Sequence, residues 1–443
     1  MDGKKRLNRR KFLQSAGAAG VGLALAPGML AQARGQGGGD DLKIAMIGPG
    51  SQGRNLLMTC LKIPGVRFTA ICDIWNYHQR YAANILRKFK QPVNVYVDYR
   101  EMLEQETDLD AVIIATPDFV HDEQTVACLQ AGKHVYCEKE MSHTLEGARR
   151  MVQAARKTGK LLQVGHQRRS NPRYWHAKDM IYKEGMLGTI THVQGQWNRS
   201  RRQESGWPKG QEVPADRLAR FGYENMNQFR NWRWFKKFSG GPMADLGSHQ
   251  IDVFNWFLKA VPEAVLASGG QDWYDQGQWY DNVLSIYEYP GAEGGRIRGF
   301  YQVLNTTSYG GFYEVFMGDE GSLVISEDSR KGYVYREVQA RKKDWEDEAH
   351  RVEGMDTEAI QLKVGESLLP DGTKDPKAER LAAEANKPVH QLHLENFFDA
   401  IRGKAELTCP PEVAYETAVA VLTANQAVEA GRKIALESGE FTL

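Results

Sequence analysis

Beyond residue 41 the chain alternates short apolar runs with stretches of helical spacing. Residues 42–47, 67–72, 93–96, 111–114, 134–137 and 161–164 have strand character, and 54–61, 121–131 and 146–158 read as helices. Repeated β-α-β with short connections predicts a parallel, doubly wound sheet over 42–165. After Gly165 the alternation stops. Strand-like runs cluster at 190–197, 264–269, 283–289, 297–304, 313–317 and 322–325, separated by polar or glycine turns. That pattern predicts a mostly antiparallel sheet in a second, α+β domain over 166–443. A helix over 244–258 interrupts it, and an amphipathic helix over 411–431 is expected to pack back on the body. Two long insertions stand out. Residues 199–240 are dense in Arg and Trp, and 340–388 are charged and poor in apolar residues. Long insertions are often binding loops or lids.

The length of 443 residues fits two domains. Apolar and charged contents of 42% and 26% are those of an ordinary globular chain. A formal net charge of +1 gives no global field that would favour nucleic acid. The five cysteines, Cys60, Cys72, Cys128, Cys137 and Cys409, show no CxxC and no metal-type spacing. An odd, scattered set argues against a disulfide framework.

Before residue 34 the pattern is different. Asn8-Arg9-Arg10-Lys11-Phe12-Leu13 resembles a twin-arginine signal, and an uncharged run from Phe12 to Ala33 ends in Ala31-Gln32-Ala33, an A-x-A cleavage site. A transmembrane anchor is the other reading, but Gly17, Gly20, Gly22 and Pro27 make the run weakly apolar. The expectation is a signal peptide over 1–33, a flexible linker over 34–41, and export of the folded chain by the twin-arginine translocase. No stable membrane insertion is expected after cleavage. Folding before export would also suit free cysteines.

Gly48-Pro49-Gly50-Ser51-Gln52-Gly53 follows the first strand and opens the first helix. This is the G-x-G-x-x-G context of a dinucleotide site. The first Gly allows the tight turn, the second lets backbone approach a pyrophosphate, and the third lets helix and strand pack closely. Asp73 ends the second strand, twenty residues past Gly53. An acid there accepts from both ribose hydroxyls and repels a 2′-phosphate, so NAD is expected over NADP. Thr116-Pro117-Asp118 and Glu138-Lys139-Glu140 sit at the carboxyl ends of the fourth and fifth strands, where ligands of such sheets bind.

Gly240-Gly241-Pro242-Met243-Ala244-Asp245-Leu246-Gly247-Ser248-His249 is the second informative stretch. In a helix, Asp245 and His249 share a face. Oxidising an alcohol needs a base for the hydroxyl proton, and Lys139, His249 and Asp245 supply an acceptor, a relay and an orienting carboxylate. Asp245, His249 and Asp252 also spell a divalent-ion set, though with one histidine, which would make the protein a metal-dependent hydrolase or isomerase. A non-catalytic, cofactor-bound sensor is a third reading.

These motifs, with Ala115-Thr116-Pro117, Gly165-His166-Gln167 and Gly318-Asp319-Glu320-Gly321-Ser322, resemble the glucose–fructose oxidoreductase/inositol dehydrogenase (Gfo/Idh/MocA) family. The resemblance implies a Rossmann domain, an open-faced second sheet through which many relatives oligomerise, a sugar-like substrate, and Lys139, Asp245 and His249 as the catalytic group. The cofactor set expected is Gly48, Gly50, Ser51, Gln52, Gly53, Asp73, Thr116, Pro117, His121, Glu138, Lys139 and Gln167. The substrate set is His166, Arg168, Trp232, Arg233 and Tyr309, and no metal is expected. Glu140 stands where the family usually has Pro. An exported dehydrogenase has no pool of free NAD to draw on, so the cofactor is expected to be retained and recycled within each cycle. An NAD-dependent glycosidase, working by transient oxidation and elimination with His166, Glu140 or Tyr309, is the alternative.

Overall fold

A computed structural model describes residues 41–200, 204–346, 351–353, 358–362 and 382–443. The signal and nearly all of the linker expected at the N-terminus lie outside the described residues. Among these residues no helix is long and apolar enough to cross a membrane.

The first domain is a six-stranded parallel sheet in the order β3-β2-β1-β4-β5-β6, the Rossmann arrangement. Its strands are β1 (Leu42–Ile47), β2 (Val66–Cys72), β3 (Asn94–Tyr96), β4 (Ala111–Ile114), β5 (His134–Cys137) and β6 (Leu162–Val164). The four residues of β4 are all buried, as they must be in a sheet covered on both faces. Helices α1 (Ser51–Cys60), α2 (Asn76–Lys88), α3 (Tyr99–Gln105), α4 (His121–Gln130) and α5 (Leu145–Thr158) supply the cover. Thr144 caps α5 by accepting from Gly147 N–H, and Gly159 ends it at φ +66°.

Helix α6 (Pro172–Tyr182) leads to the second domain, a ten-stranded sheet. Its central strands are β7 (Ile190–Asn198), β8 (Ala264–Gly270), β9 (Asn282–Pro290), β10 (Arg296–Leu304), β11 (Phe312–Gly318) and β12 (Gly321–Ile325). Among the described residues of this sheet, only β7 and β10 pair in parallel; the other pairings are antiparallel. The Arg- and Trp-rich insertion carries two short helices, α7 (Ala215–Arg220) and α8 (Met226–Arg230). The helix expected over 244–258 is two pieces, a π-helical turn Met243–Gly247 and then α9 (Ser248–Leu258). The charged second insertion is partly sheet: beyond β13 (Gly332–Arg336), its β14 (Arg351–Glu353) and β15 (Glu358–Gln361) extend one edge.

The domain border is less simple than a cut at residue 165. Helix α10 (Val389–Ile401) lies on the first sheet, where Leu394, Phe397 and Phe398 join Ile44, Leu57, Ile113 and Tyr136 in one buried cluster. Gln163 on β6 donates to the His393 carbonyl at 2.9 Å. The chain therefore returns to cover a Rossmann face before α11 (Pro411–Ala430) packs between the two halves. A two-residue β16 (Ile434–Ala435) then joins β8 at the sheet's other edge.

Candidate active site

The glycine turn is built for close approach. Gly48 holds φ +84°, and a Cβ there would stand 2.7 Å from Thr116 Cγ2. A Cβ on Gly53 would run into the Gly48 carbonyl oxygen. Gly50 is different: an added Cβ meets nothing nearer than 3.5 Å, so its face is open. Gly50 is also the N-cap of α1, which has no side-chain cap and no acid in its first turn. Free N–H groups with no competing carboxylate suit a pyrophosphate. Asp73 is buried at the end of β2, where it accepts from Trp75 N–H at 2.8 Å and from His78 Nδ1 at 2.9 Å. A carboxylate has further lone pairs for ribose hydroxyls. The residues at this end thus fit a dinucleotide.

A cavity of about 900 Å³ runs from this turn to the second domain. Gly48, Gly50, Ser51, Gln52, Asp73, Thr116, Pro117, Glu138 and Gln167 line it, and so do Lys139, Trp232, Arg233, Asp245 and His249. Gln52 donates to Glu138 at 3.0 Å across its floor. The 204–240 segment forms a roof. Trp75 joins Val213, Leu218, Tyr223, Met226 and Phe238 in a buried cluster. Its indole N–H donates to the Gln211 carbonyl. Arg217 donates to Asn76 Oδ1 at 2.7 Å and Arg220 to Asp98 at 2.6 Å. The insertion is therefore bolted to the loops after β2 and β3.

Asp245 gathers the charges at the far end. Arg233 Nε donates to it at 3.0 Å, Arg199 Nη2 at 3.2 Å, and Lys139 Nζ stands 3.6 Å away while donating to the Asp245 main-chain oxygen. Burial alone would raise the Asp245 pKa, but Arg233, Lys139 and Arg199 outweigh it and hold the carboxyl well below the usual range. The reverse holds for His249. Burial, then Lys139, Arg168 and His166, keep its pKa well below the ordinary histidine value, so the ring is neutral. It lies 5.1 Å from the Trp197 ring.

Four sequence expectations are corrected. His121 does not line the cavity. Its two ring nitrogens meet the carbonyl oxygens of Glu140 and Thr116, each at 2.8 Å, which calls for a donor at both positions. Burial opposes the charge, yet Cys137, Asp118 and the Glu140 carbonyl bring its pKa up to about 10. His121 ties two cavity loops together. Arg168 is fully buried between Glu314 and Glu327, out of a substrate's reach. His166 is buried with both ring nitrogens unpartnered and lies outside the lining, because its loop turns inward after β6. Tyr309, 86% exposed on the turn after β10, faces solvent away from the cavity. Asp252 turns from the site to Arg169, at 2.9 Å, and among the described residues no three His, Cys, Asp or Glu gather as a metal group. Glu140 is buried, and burial pushes its carboxyl up to about 8. Sequence reasoning did not find Tyr223, Phe229, Asn231 or Glu327, which also line the cavity. None lies in a motif; only the fold brings them there.

Comparison with known proteins places this architecture. Residues 42–166 match the oxidoreductase family model for an NAD-binding Rossmann fold, and 178–436 match that family's C-terminal alpha/beta domain. The chain is similar to an inositol 2-dehydrogenase/D-chiro-inositol 3-dehydrogenase of Shouchella clausii, 32% identical over 146 residues. That match covers 32% of this chain and spans only 41% of the relative's own length. It is also similar to a 1,5-anhydro-D-fructose reductase of Ensifer adhaerens, 27% identical over 76% of this chain and 83% of the relative. In fold it resembles a levoglucosan dehydrogenase solved with NADH, with a TM-score of 0.67 and 19% identity over 90% of this chain and 99% of that one. With both of the family's domains matched in order along nearly the whole described length, the chain belongs to the Gfo/Idh/MocA oxidoreductase family.

Proposed function

We propose that the protein is an NAD-dependent oxidoreductase acting on a hydroxyl of a sugar or sugar derivative, with its dinucleotide retained from cycle to cycle and reoxidised in place by passing the hydride to a second, carbonyl-bearing substrate. The observation that carries this reading is one continuous cavity with the glycine turn and Asp73 at one end and Lys139, Asp245 and His249 at the other. The sugar-directed relatives support the substrate class. When bound, the nicotinamide supplies the hydride acceptor. Lys139 takes the proton of the substrate hydroxyl, in the role of general base. His249, held neutral, offers a hydrogen bond to the same hydroxyl. Asp245, held as an anion, fixes Lys139, Arg199 and Arg233 in place. Asp73 supports NAD over NADP, because a 2′-phosphate would meet its carboxylate.

The roof supports retention. Phe229, Arg230 and Asn231 of the roof line the same cavity as Gly50 and Asp73, and the bonds of Gln211, Arg217 and Arg220 to the first domain would slow the exit of a dinucleotide held there. The test is to denature undialysed protein and assay the supernatant. Stoichiometric NAD or NADH is expected. Release of none, with added NAD binding reversibly, would replace retention by ordinary exchange. The glycosidase alternative finds no acid–base group in His166, Glu140 or Tyr309, since all three lie outside the cavity lining.

Export by the twin-arginine route belongs to the same reading and is tested by fusing residues 1–41 to a reporter and replacing Arg9 and Arg10. Assembly through the second sheet is a further part of it. Leu266 on β8, its partner Ile286 on β9 and Leu284 two residues along β9 are each 40% or 41% exposed. Light scattering of the protein and of an Ile286→Lys variant tests it, with a smaller particle expected for the variant.

A further inference from the structure

We propose that the substrate end of the cavity is built for a sugar that bears a carboxylate, held by Arg199 and Arg233. This deepens the sugar-oxidoreductase reading and rests on it. Two guanidiniums, those of Arg199 and Arg233, converge on one carboxylate, Asp245, which Lys139 Nζ also approaches at 3.6 Å. Asp118 and Glu138 also attract the Arg233 guanidinium through space, and Asp245 is the carboxylate that it hydrogen-bonds. Burial raises the Asp118 carboxyl, which weakens its hold on a negative charge. Glu138 is engaged by Gln52 and Tyr136, and Glu327 by Gln167 and Arg168. The dinucleotide's own phosphates belong to the glycine turn at the opposite end, and its oxidised ring is itself cationic.

Donors remain as well as charge. A guanidinium carries five N–H groups. Arg233 gives one to Asp245, and its side chain is half exposed, toward the cavity it lines. The Nε of Arg199 is buried without a partner. The Arg233 guanidinium lies 4.1 Å from the centre of the Trp232 ring, which braces its plane. Two planar forks beside a fixed anion, that of Arg233 braced by Trp232, match a second carboxylate in geometry as well as in charge.

The experiment compares matched pairs on the holoprotein: glucose with glucuronate, galactose with galacturonate, and their methyl glycosides. The readout is reduction of the bound nicotinamide, followed by absorbance. The uronate of a pair is expected to give kcat/KM about tenfold or more above its neutral partner, an advantage that shrinks as salt is added. Arg233→Met and Arg199→Met should each lower the uronate-to-neutral ratio about tenfold through KM, while Arg→Lys at either position restores part of it. Retained dinucleotide content checks that each variant is folded. Neutral sugars used as well as or better than uronates would overturn the proposal and leave the sugar-oxidoreductase reading standing. If no member of any pair reduces the bound nicotinamide, both fall together.

Discussion

Two clusters of arginine and carboxylate stand on neighbouring parts of the second domain, and they are built in opposite ways. Around Arg168, two carboxylates, Glu314 and Glu327, serve one cation, and the Arg168 and Glu314 side chains are 1% and 0% exposed. Tyr174 completes it by donating to Glu314 at 2.7 Å. Around Asp245, two arginines and Lys139 serve one carboxylate, and Arg199 and Arg233 are 34% and 50% exposed. The first cluster is closed to solvent. The second is open, positively charged and supplied with spare donors. Residue types alone do not separate them; only the count of partners and the path to solvent do. A buried ion pair holds its neighbourhood in register and is costly to break, whereas a half-exposed one stabilises little.

That contrast breaks most sharply at Lys139. Lys139→Met is expected to cut turnover by about 10²- to 10⁴-fold with dinucleotide content unchanged, as single-turnover reduction of the bound nicotinamide would show. Next comes Arg168→Met, which strands Glu314 in the interior and should cost about 3–5 kcal/mol by urea unfolding. A variant that keeps its unfolding midpoint but loses activity would mean that Arg168 works in catalysis after all. Acid should act on the closed side of the molecule. Burial depresses His166 to about 4 and His393 to about 3. The unfolded chain takes up a proton at each near pH 6.5, and the folded chain does not until lower pH. Stability is therefore level above pH 6.5 and falls below it, by about 2 kcal/mol per histidine at pH 5. A flat stability profile between pH 7 and 5 would contradict this. The smallest effect belongs to the open cluster: Arg233→Met should change unfolding free energy by less than about 1 kcal/mol, for all its effect on substrate choice.

Much of this was legible in the chain, for physical reasons. Strand and helix periods mark the Rossmann half, because buried parallel strands are short and apolar and their connections are brief. The glycine turn reads clearly because each glycine answers a steric demand that survives in the fold: Gly48 against Thr116, Gly53 against the Gly48 carbonyl. The placements of His121, His166, Arg168 and Tyr309 were not legible. Proximity to a motif marks a polar residue as near the site, but side-chain direction decides whether it faces the cavity or the core behind it. Helix α10 was also hidden, since its apolar positions follow a charged insertion and its partners lie more than two hundred residues earlier. The π-helical turn at Met243–Gly247 changes which side chains stack, and no residue in it announces the extra backbone unit.

The return of α10 has a consequence for how the protein is made. The ribosome finishes β1 to β6 long before it reaches Leu394, Phe397 and Phe398, which cover Ile44, Leu57 and Tyr136. Until then the nascent dinucleotide half carries a bare apolar flank, a surface that chaperones recognise and that other half-made chains can stick to. The two halves are thus not beads on a string. The last quarter of the message completes the first third of the molecule, and a gene cut between them would yield two sticky pieces rather than two modules.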